Sequence, residues 1–263
     1  MFDAHVHLRD SRILPYHARF VKECLDAGVT ACIDCACTPI QWATEPDCSL
    51  EVIPAYGLHP WQAGVAPPDW VEILRWHLCR HPEALVGEFG LDGLRRVSDG
   101  GSAQRAAFRS QIALAARLER PAVLHGAKCW MTLLTALSFH IRRLPAVMLH
   151  GVSFAPDMLH LPIFKNSNIW FGIGGAVLSP NAKNLPRFVR DIPLNRLLLE
   201  TDSPDMFPCG GDPLVLGQYR SLFNHPGNLP HILRRVAELR GMPPEELAQI
   251  TEANTRAFLA ARG

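Results

Sequence analysis

Eight short apolar runs rich in Val, Ile and Leu recur along the 263-residue chain, separated by helical patterns. They are Phe2–Val6, Val29–Asp34, Val52–Leu58, Ala84–Glu88, Ala122–His125, Ala146–His150, Ile169–Ile173 and Arg196–Glu200. Strands covered by helices on one face and by a core on the other read as continuous apolar runs, so the alternation points to a parallel sheet. Eight βα units in a chain of roughly 250 residues predict an α/β fold, one (β/α)8 TIM-type barrel taking up residues 1–263. Helices are expected over Tyr16–Ala27, Asp69–Arg80, Ala103–Leu118, Leu229–Arg240 and Pro244–Ala261, with Gly28, Pro82, Pro121 and Gly241 as stops. Ser203–Pro226, rich in Pro and Gly, reads as a long loop after the eighth strand.

Hydrophobic residues make up 48% of the chain, enough for a packed core and too many for a disordered one. Lys+Arg 26 against Asp+Glu 25 leaves a net charge of +1, so no global field draws the chain to a polyanion. Any nucleic acid has to be met locally. No apolar run reaches the roughly 18 to 20 residues that span a bilayer, and Met1–His7 has neither a basic segment nor a signal core. The expectation is a cytoplasmic protein with no membrane partner and no stable protein partner, its eight cysteines reduced.

The chemistry lies at the strand ends. His5 and His7 are two apart on one strand, so both imidazoles face the same way while Val6 packs outward. Glu88, His125 and His150 end the fourth, fifth and sixth runs, and Asp202 follows the eighth. In a parallel barrel these ends converge on the rim where active sites are built. Each alone reads equally as a hydrogen-bonded terminus. Together, six buried ionisable groups without counter-charge would cost several kcal/mol, which two divalent cations would offset. Imidazoles mixed with carboxylates suit Zn, Mn or, with more water, Mg, and such a pair makes hydrolysis the natural chemistry. Asp202 is the best placed general base, with Glu88 beside it.

These residues also carry a resemblance. The runs Phe2-Asp3-Ala4-His5-Val6-His7-Leu8, Gly57-Leu58-His59-Pro60, Val86-Gly87-Glu88-Phe89-Gly90-Leu91-Asp92, Gly172-Ile173-Gly174-Gly175 and Leu199-Glu200-Thr201-Asp202-Ser203-Pro204 occur in this order. With Pro121–His125, His150, Asn228–His231 and Asn254–Phe258 they make the chain resemble the TatD family of metal-dependent deoxyribonucleases and hydrolases over nearly its whole length. The resemblance implies a TIM-type barrel in which His5, His7 and Asp202 hold one metal, His125 and His150 the other, and Glu88 bridges them. For nuclease members it also implies phosphodiester hydrolysis at a DNA 3′ end through a metal-activated water. The chain departs from the family after His125, with Gly126-Ala127-Lys128, and after His150, with Gly151-Val152-Ser153. Those loops would meet a substrate phosphate. A small-molecule ester, amide or phosphoester is therefore the alternative substrate to a DNA end or small phosphodiester.

Other residues have two readings each. His59 either contacts substrate or caps the turn at Pro60, and Lys128, Arg9, Arg12, Arg95 and Arg96 are either a local cationic patch or solvated charge. Trp61 and Phe207 stack bases or pack. Asp92 supports a metal-binding histidine or caps a helix, and Glu200 lies one layer deeper as a structural partner. Cys32, Cys35 and Cys37, with Cys48, have enough thiols for a further ion, but their alternation along a strand favours packing.

Overall fold

A computed structural model describes residues 1–46, 49–94, 100–165, 168–207 and 223–261. Cys48, Arg95, Arg96 and most of the expected loop Ser203–Pro226 lie outside the described residues. Strands β1 (Phe2–Val6), β2 (Ala31–Ala36), β3 (Glu51–Tyr56), β4 (Leu85–Asp92), β5 (Ala122–Ala127), β6 (Val147–Leu149), β7 (Ile169–Ile173) and β8 (Leu197–Leu199) form one eight-stranded sheet in chain order. Neighbours are parallel from β1 to β8. The chain leaving β8 returns to β1 through a parallel bridge between Val6 and Ser203. There the His7 N–H donates to the Ser203 carbonyl at 2.7 Å and the Asp202 N–H to the His5 carbonyl at 3.0 Å. The expected barrel forms, and its seam is stitched by the residues that carry the site.

Outside lie α1 (His17–Asp26), the single turn α2 (Pro39–Trp42), α3 (Trp70–Arg80), α4 (Ser102–Arg117), α5 (Trp130–Ser138), α6 (Leu185–Asp191), α7 (Leu229–Arg240) and α8 (Pro244–Ala260). The five helices read from the sequence form within a residue at each end. α7 stops at Gly241, whose φ of 63° is the left-handed conformation a glycine adopts without a Cβ clash. Between β6 and β7 no α-helix forms among the described residues. The 3-10 turns Pro156–His160 and Pro162–Lys165 take its place, because each proline removes a donor and its ring bars a continuous α-helix.

Side chains alternate between two apolar layers. Val6, Val86, Leu124, Leu149 and Phe171 face outward against Phe20, Leu74, Phe108, Ile112, Leu133 and Phe188 of the surrounding helices. Ala4, Ile33, Cys35, Ala55, Leu85, Val123, Met148 and Leu198 fill the barrel, with Phe258 of α8 packed among them. The Phe258 ring lies 5.5 Å from that of Trp170, so α8 plugs the barrel rather than merely ending the chain. Small inner residues at Ala4 and Ala55 leave room for that aromatic pair.

Several strands differ in their bounds from expectation, and the differences at β2 and β4 shape the site. β2 is shifted two residues later, which takes Cys35 into the barrel. β4 continues to Asp92, so Glu88 sits in the middle of that strand rather than at its end. Gly90 permits the extension: a Cβ there would lie 1.9 Å from the His125 carbonyl oxygen, so only glycine lets β4 approach β5 so closely.

His225, before α7, is buried against Phe20 and accepts the Gly227 N–H at its Nδ1. Burial lowers its pKa to about 4. A histidine whose folded pKa is lowered makes the unfolded chain bind the proton first, so stability is complete above pH 6.5 and falls as pH drops toward 4. At pH 5 this residue is expected to cost about 2 kcal/mol. Thermal unfolding of the metal-free protein at pH 7 and pH 5 should show wild type losing that much more than His225→Gln.

Candidate metal centre

β1 carries His5 and, one residue past its end, His7. β4 supplies Glu88, β5 supplies His125, His150 follows β6, and Asp202 stands three residues past β8 at a φ of 57°. The structure brings all six into one cluster. Glu88 lies between two groups and turns a different oxygen to each. Its Oε2 is 3.4 Å from His5 Nε2 and 3.6 Å from His7 Nε2. Those nitrogens are 3.3 Å apart, and Asp202 Oδ1 lies 3.5 Å from the first and 3.2 Å from the second. On the other side, Glu88 Oε1 is 2.7 Å from His125 Nδ1 and 2.8 Å from His150 Nε2, which are 3.2 Å from each other. Ligands about 2.0–2.1 Å from a tetrahedral ion stand roughly 3.3 Å apart, the spacing of the first group.

The outward nitrogens test whether this cluster fits a cation. A metal-ligating imidazole holds its other N–H on an acceptor, which fixes the lone pair toward the ion. His7 Nδ1 lies 2.8 Å from the Cys35 carbonyl oxygen, and His125 Nε2 is 3.2 Å from Asp92 Oδ2. His150 Nδ1 faces Glu200 Oε1 at 3.6 Å, and His5 Nδ1 faces the Cys35 thiol at 3.4 Å. His7 and His125, held on oxygen acceptors, turn a lone pair to the centre, and the orphaned buried Nδ1 of His150 is turned toward the Glu200 carboxylate. The donor set therefore fits divalent metal.

Charge in the metal-free cluster follows the same geometry. Burial alone would raise the Glu88 carboxyl, but the imidazoles of His150, His59 and His5 and its hydrogen bond with His125 hold it well below the usual range. Asp202 is lowered in the same way, burial being outweighed by His150 and by its bond with His7. Burial opposes charge on His150, yet Glu88 and Asp202 raise its pKa well above normal. His7 is raised likewise, against burial, by Cys37, Asp202 and Glu88. Burial and His150 keep His5 low. Protons occupy positions that cations would take.

His59 stands at the edge of this cluster. Its Nδ1 accepts the Trp61 N–H at 3.2 Å, which leaves the hydrogen of the neutral ring on Nε2, 3.8 Å from Glu88 Oε1. Although its ring lies close enough to Glu88 and His125 to share an ion, that tautomer presents a donor, not a lone pair. Burial lowers its pKa to about 3, so it stays a neutral donor at physiological pH. Asp92 accepts the Trp61 indole N–H at 2.6 Å and the Leu94 N–H at 2.6 Å, besides holding His125. It supports a histidine rather than capping a helix. Glu200 is fully buried against His150, and Gly172 makes room for it, since a Cβ there would lie 2.2 Å from the Glu200 carboxylate. Gly172 thus serves close packing.

The two arginines of the loop after β1 are engaged away from the cluster. Arg9 does not reach the mouth: it is buried, its Nε 2.9 Å from Asp34 Oδ2 and its guanidinium 5.1 Å above the Tyr56 ring. Asp34 also accepts the Leu8 N–H at 2.8 Å. Arg12 is held by Asp10 and Asp205. Lys128 is exposed after β5, and Arg95 lies outside the described residues. Cys32 packs in the outer layer and Cys35 in the barrel, while Cys37 lies 3.6 Å from His7 Nδ1 and 3.7 Å from Glu88 Oε2. The thiols divide among three surroundings because successive strand residues face opposite ways. Asp34 and the Cys37 contact escaped the sequence reading; only the i, i+2 spacing of Cys35 and Cys37 could have pointed to the latter.

A cation that binds only the folded chain stabilises it by about 2.7 kcal/mol at a hundred times its dissociation constant. Adding Mn²⁺ to metal-free protein should accordingly raise the Tm by roughly 5–10 °C, and much less in Asp202→Asn.

A parallel barrel with an imidazole–carboxylate cluster at its strand ends defines a metal-dependent hydrolase of the TIM-barrel class. Within that class the chain belongs to the family described as TatD related DNase, whose model matches residues 2–260. It is 31% identical over 263 residues to the 3′-5′ ssDNA/RNA exonuclease TatD of Pantoea vagans, covering 97% of this chain and 98% of that one. The protein of the same name from Erwinia amylovora is 32% identical over 267 residues, covering 98% and 99%. Among solved structures, YjjV, a TatD homologue from Escherichia coli K12, superposes with a TM-score of 0.83 at 26% identity, covering 98% of this chain and 97% of that one. No described helix is long and apolar enough to cross a membrane.

Proposed function

We propose that this chain is a divalent-metal-dependent 3′-5′ exonuclease that removes nucleotides from the end of a single-stranded DNA or RNA. The observation that carries the reading is the bridging placement of Glu88, with Oε2 among His5, His7 and Asp202 and Oε1 between His125 and His150. Family membership and full-length relatives named as such exonucleases support the substrate class. His5, His7, Asp202 and Glu88 would hold one ion and His125, His150 and Glu88 the other. When bound, a divalent pair supplies Lewis-acid polarisation of the phosphoryl group and lowers the pKa of an attacking water, with Mg, Mn and Zn all compatible with these donors.

The remaining steps belong to the chain's own side chains. Asp202, the carboxylate beside His5 and His7, would orient the water and accept its proton. Glu88 stays ionised between the two groups. The P–O3′ bond breaks, the 3′ oxygen of the shortened strand leaves and takes up the proton that Asp202 received, and a nucleoside 5′-monophosphate is released. His59 presents Nε2–H where it can donate to a phosphoryl oxygen as charge develops, and Lys128 offers a cation at the same rim. A cytoplasmic setting for the whole chain as one catalytic unit is part of the proposal, with reduced thiols at the six described cysteines.

The test is a 5′-labelled single-stranded oligonucleotide with Mg²⁺ or Mn²⁺. A ladder shortening from the 3′ end is expected. Turnover confined to small esters, lactones or phosphodiesters would favour the small-molecule alternative and sink the exonuclease reading.

A further inference from the structure

Resting on that exonuclease reading, we infer that the Trp61 indole is a platform on which a base of the bound single strand stacks. Selectivity for unpaired ends then comes from base faces more than from phosphate charge. Trp61 follows β3 directly behind His59, and the two rings meet edge to face at 5.0 Å. His59 in turn lies 4.6 Å from the His125 ring, so the indole stands one imidazole away from the cluster. Its N–H is committed to Asp92 Oδ2 at 2.6 Å, which fixes the orientation of the ring by its edge. The side chain is nevertheless 41% exposed, and Leu94, anchored on the same carboxylate through its N–H, is 63% exposed. A fixed, exposed aromatic beside a reacting centre is the element that nucleic-acid grooves use for stacking, which tolerates any base.

Charge points the same way. The net charge is +1, and both arginines of the loop after β1 are engaged, Arg9 with Asp34 and Arg12 with Asp10 and Asp205. Of the candidate rim cations among the described residues this leaves Lys128, which is exposed, so base stacking would add to a limited set of phosphate contacts. Bases inside a duplex are already stacked on each other, so a base-face platform favours a single-stranded end without reading its sequence.

Equilibrium binding of labelled single-stranded oligonucleotides, measured by anisotropy on an Asp202→Asn background, tests this without cleavage. Trp61→Ala should weaken binding roughly 5- to 100-fold, the range of one base–aromatic stack. Trp61→Phe, which keeps a stacking ring but loses the N–H to Asp92, should retain most of the affinity. Oligonucleotides abasic at their two 3′-terminal positions should bind the Trp61-containing protein as weakly as Trp61→Ala binds normal ones, and Trp61→Ala should not distinguish the two substrates. Effects of the variant and of the abasic sites that multiply independently would overturn the inference, as would Trp61→Phe binding as poorly as Trp61→Ala. The exonuclease reading fails separately: the otherwise wild-type enzyme would then bind strands with this stacking signature but shorten none.

Discussion

Glu88→Gln is expected to lower kcat at least 10³-fold on a single-stranded substrate and to reduce bound metal in parallel. Glutamine keeps the size of the side chain but offers one oxygen, whereas Glu88 turns Oε2 to His5 and His7 and Oε1 to His125 and His150. Losing the bridge removes a contact to both groups at once. Transition-state stabilisation by metal ions amounts to several kcal/mol, and each 1.36 kcal/mol is tenfold in rate, which sets the scale. The metal-free variant should still unfold in one cooperative transition at a lower temperature than wild type, because the buried His150 loses its carboxylate partner while the fold survives. Turnover within tenfold of wild type, with metal content unchanged, would remove Glu88 from the centre of the account.

Arg9→Ala is the second large effect, and it falls on stability instead of catalysis. Breaking a buried ion pair by removing one partner costs about 3–5 kcal/mol, because the remaining charge is left buried and unpaired. Here the remaining group is Asp34, which also accepts the Leu8 N–H and so holds the turn that follows β1. Pairing Arg9→Ala with Asp34→Asn removes the stranded charge and should recover part of the loss. Denaturant unfolding of both variants and KM of the folded fraction at low temperature are the measurements. A normal stability with a raised KM would return Arg9 to the substrate site.

What the sequence could show followed from local chemistry. The His5–Val6–His7 alternation and the apolar run of β1 lie within one element, so period-2 geometry sufficed to aim both imidazoles together. α7 was readable to the residue because Pro230 and Gly241 mark its two ends. Where long-range packing decides, the chain was less legible. β4 extends past Glu88 only because Gly90 lets it press against β5, a fact that depends on another strand. Arg9 sits in a loop, where solvated charge is the usual outcome, and its burial depends on Asp34 and Tyr56 arriving from β2 and β3. The role of α8 as a plug was hidden for the same reason, since Phe258 meets Trp170 only once the barrel has closed. For Asp92 the sequence left a histidine support and a helix cap as equal readings, and only the arrival of His125 from β5 decides between them.

The strand-end cluster is expected to cleave phosphodiester bonds only when it holds divalent metal. The most direct test follows metal content and the release of 3′-terminal nucleotides from a single-stranded oligonucleotide in the same samples, as metal-free protein is titrated with Mn²⁺. Release should be absent at zero occupancy, rise with bound metal and vanish in His150→Ala at every concentration. Nucleotide release by metal-free protein, or fully loaded protein that leaves every strand intact, would contradict it.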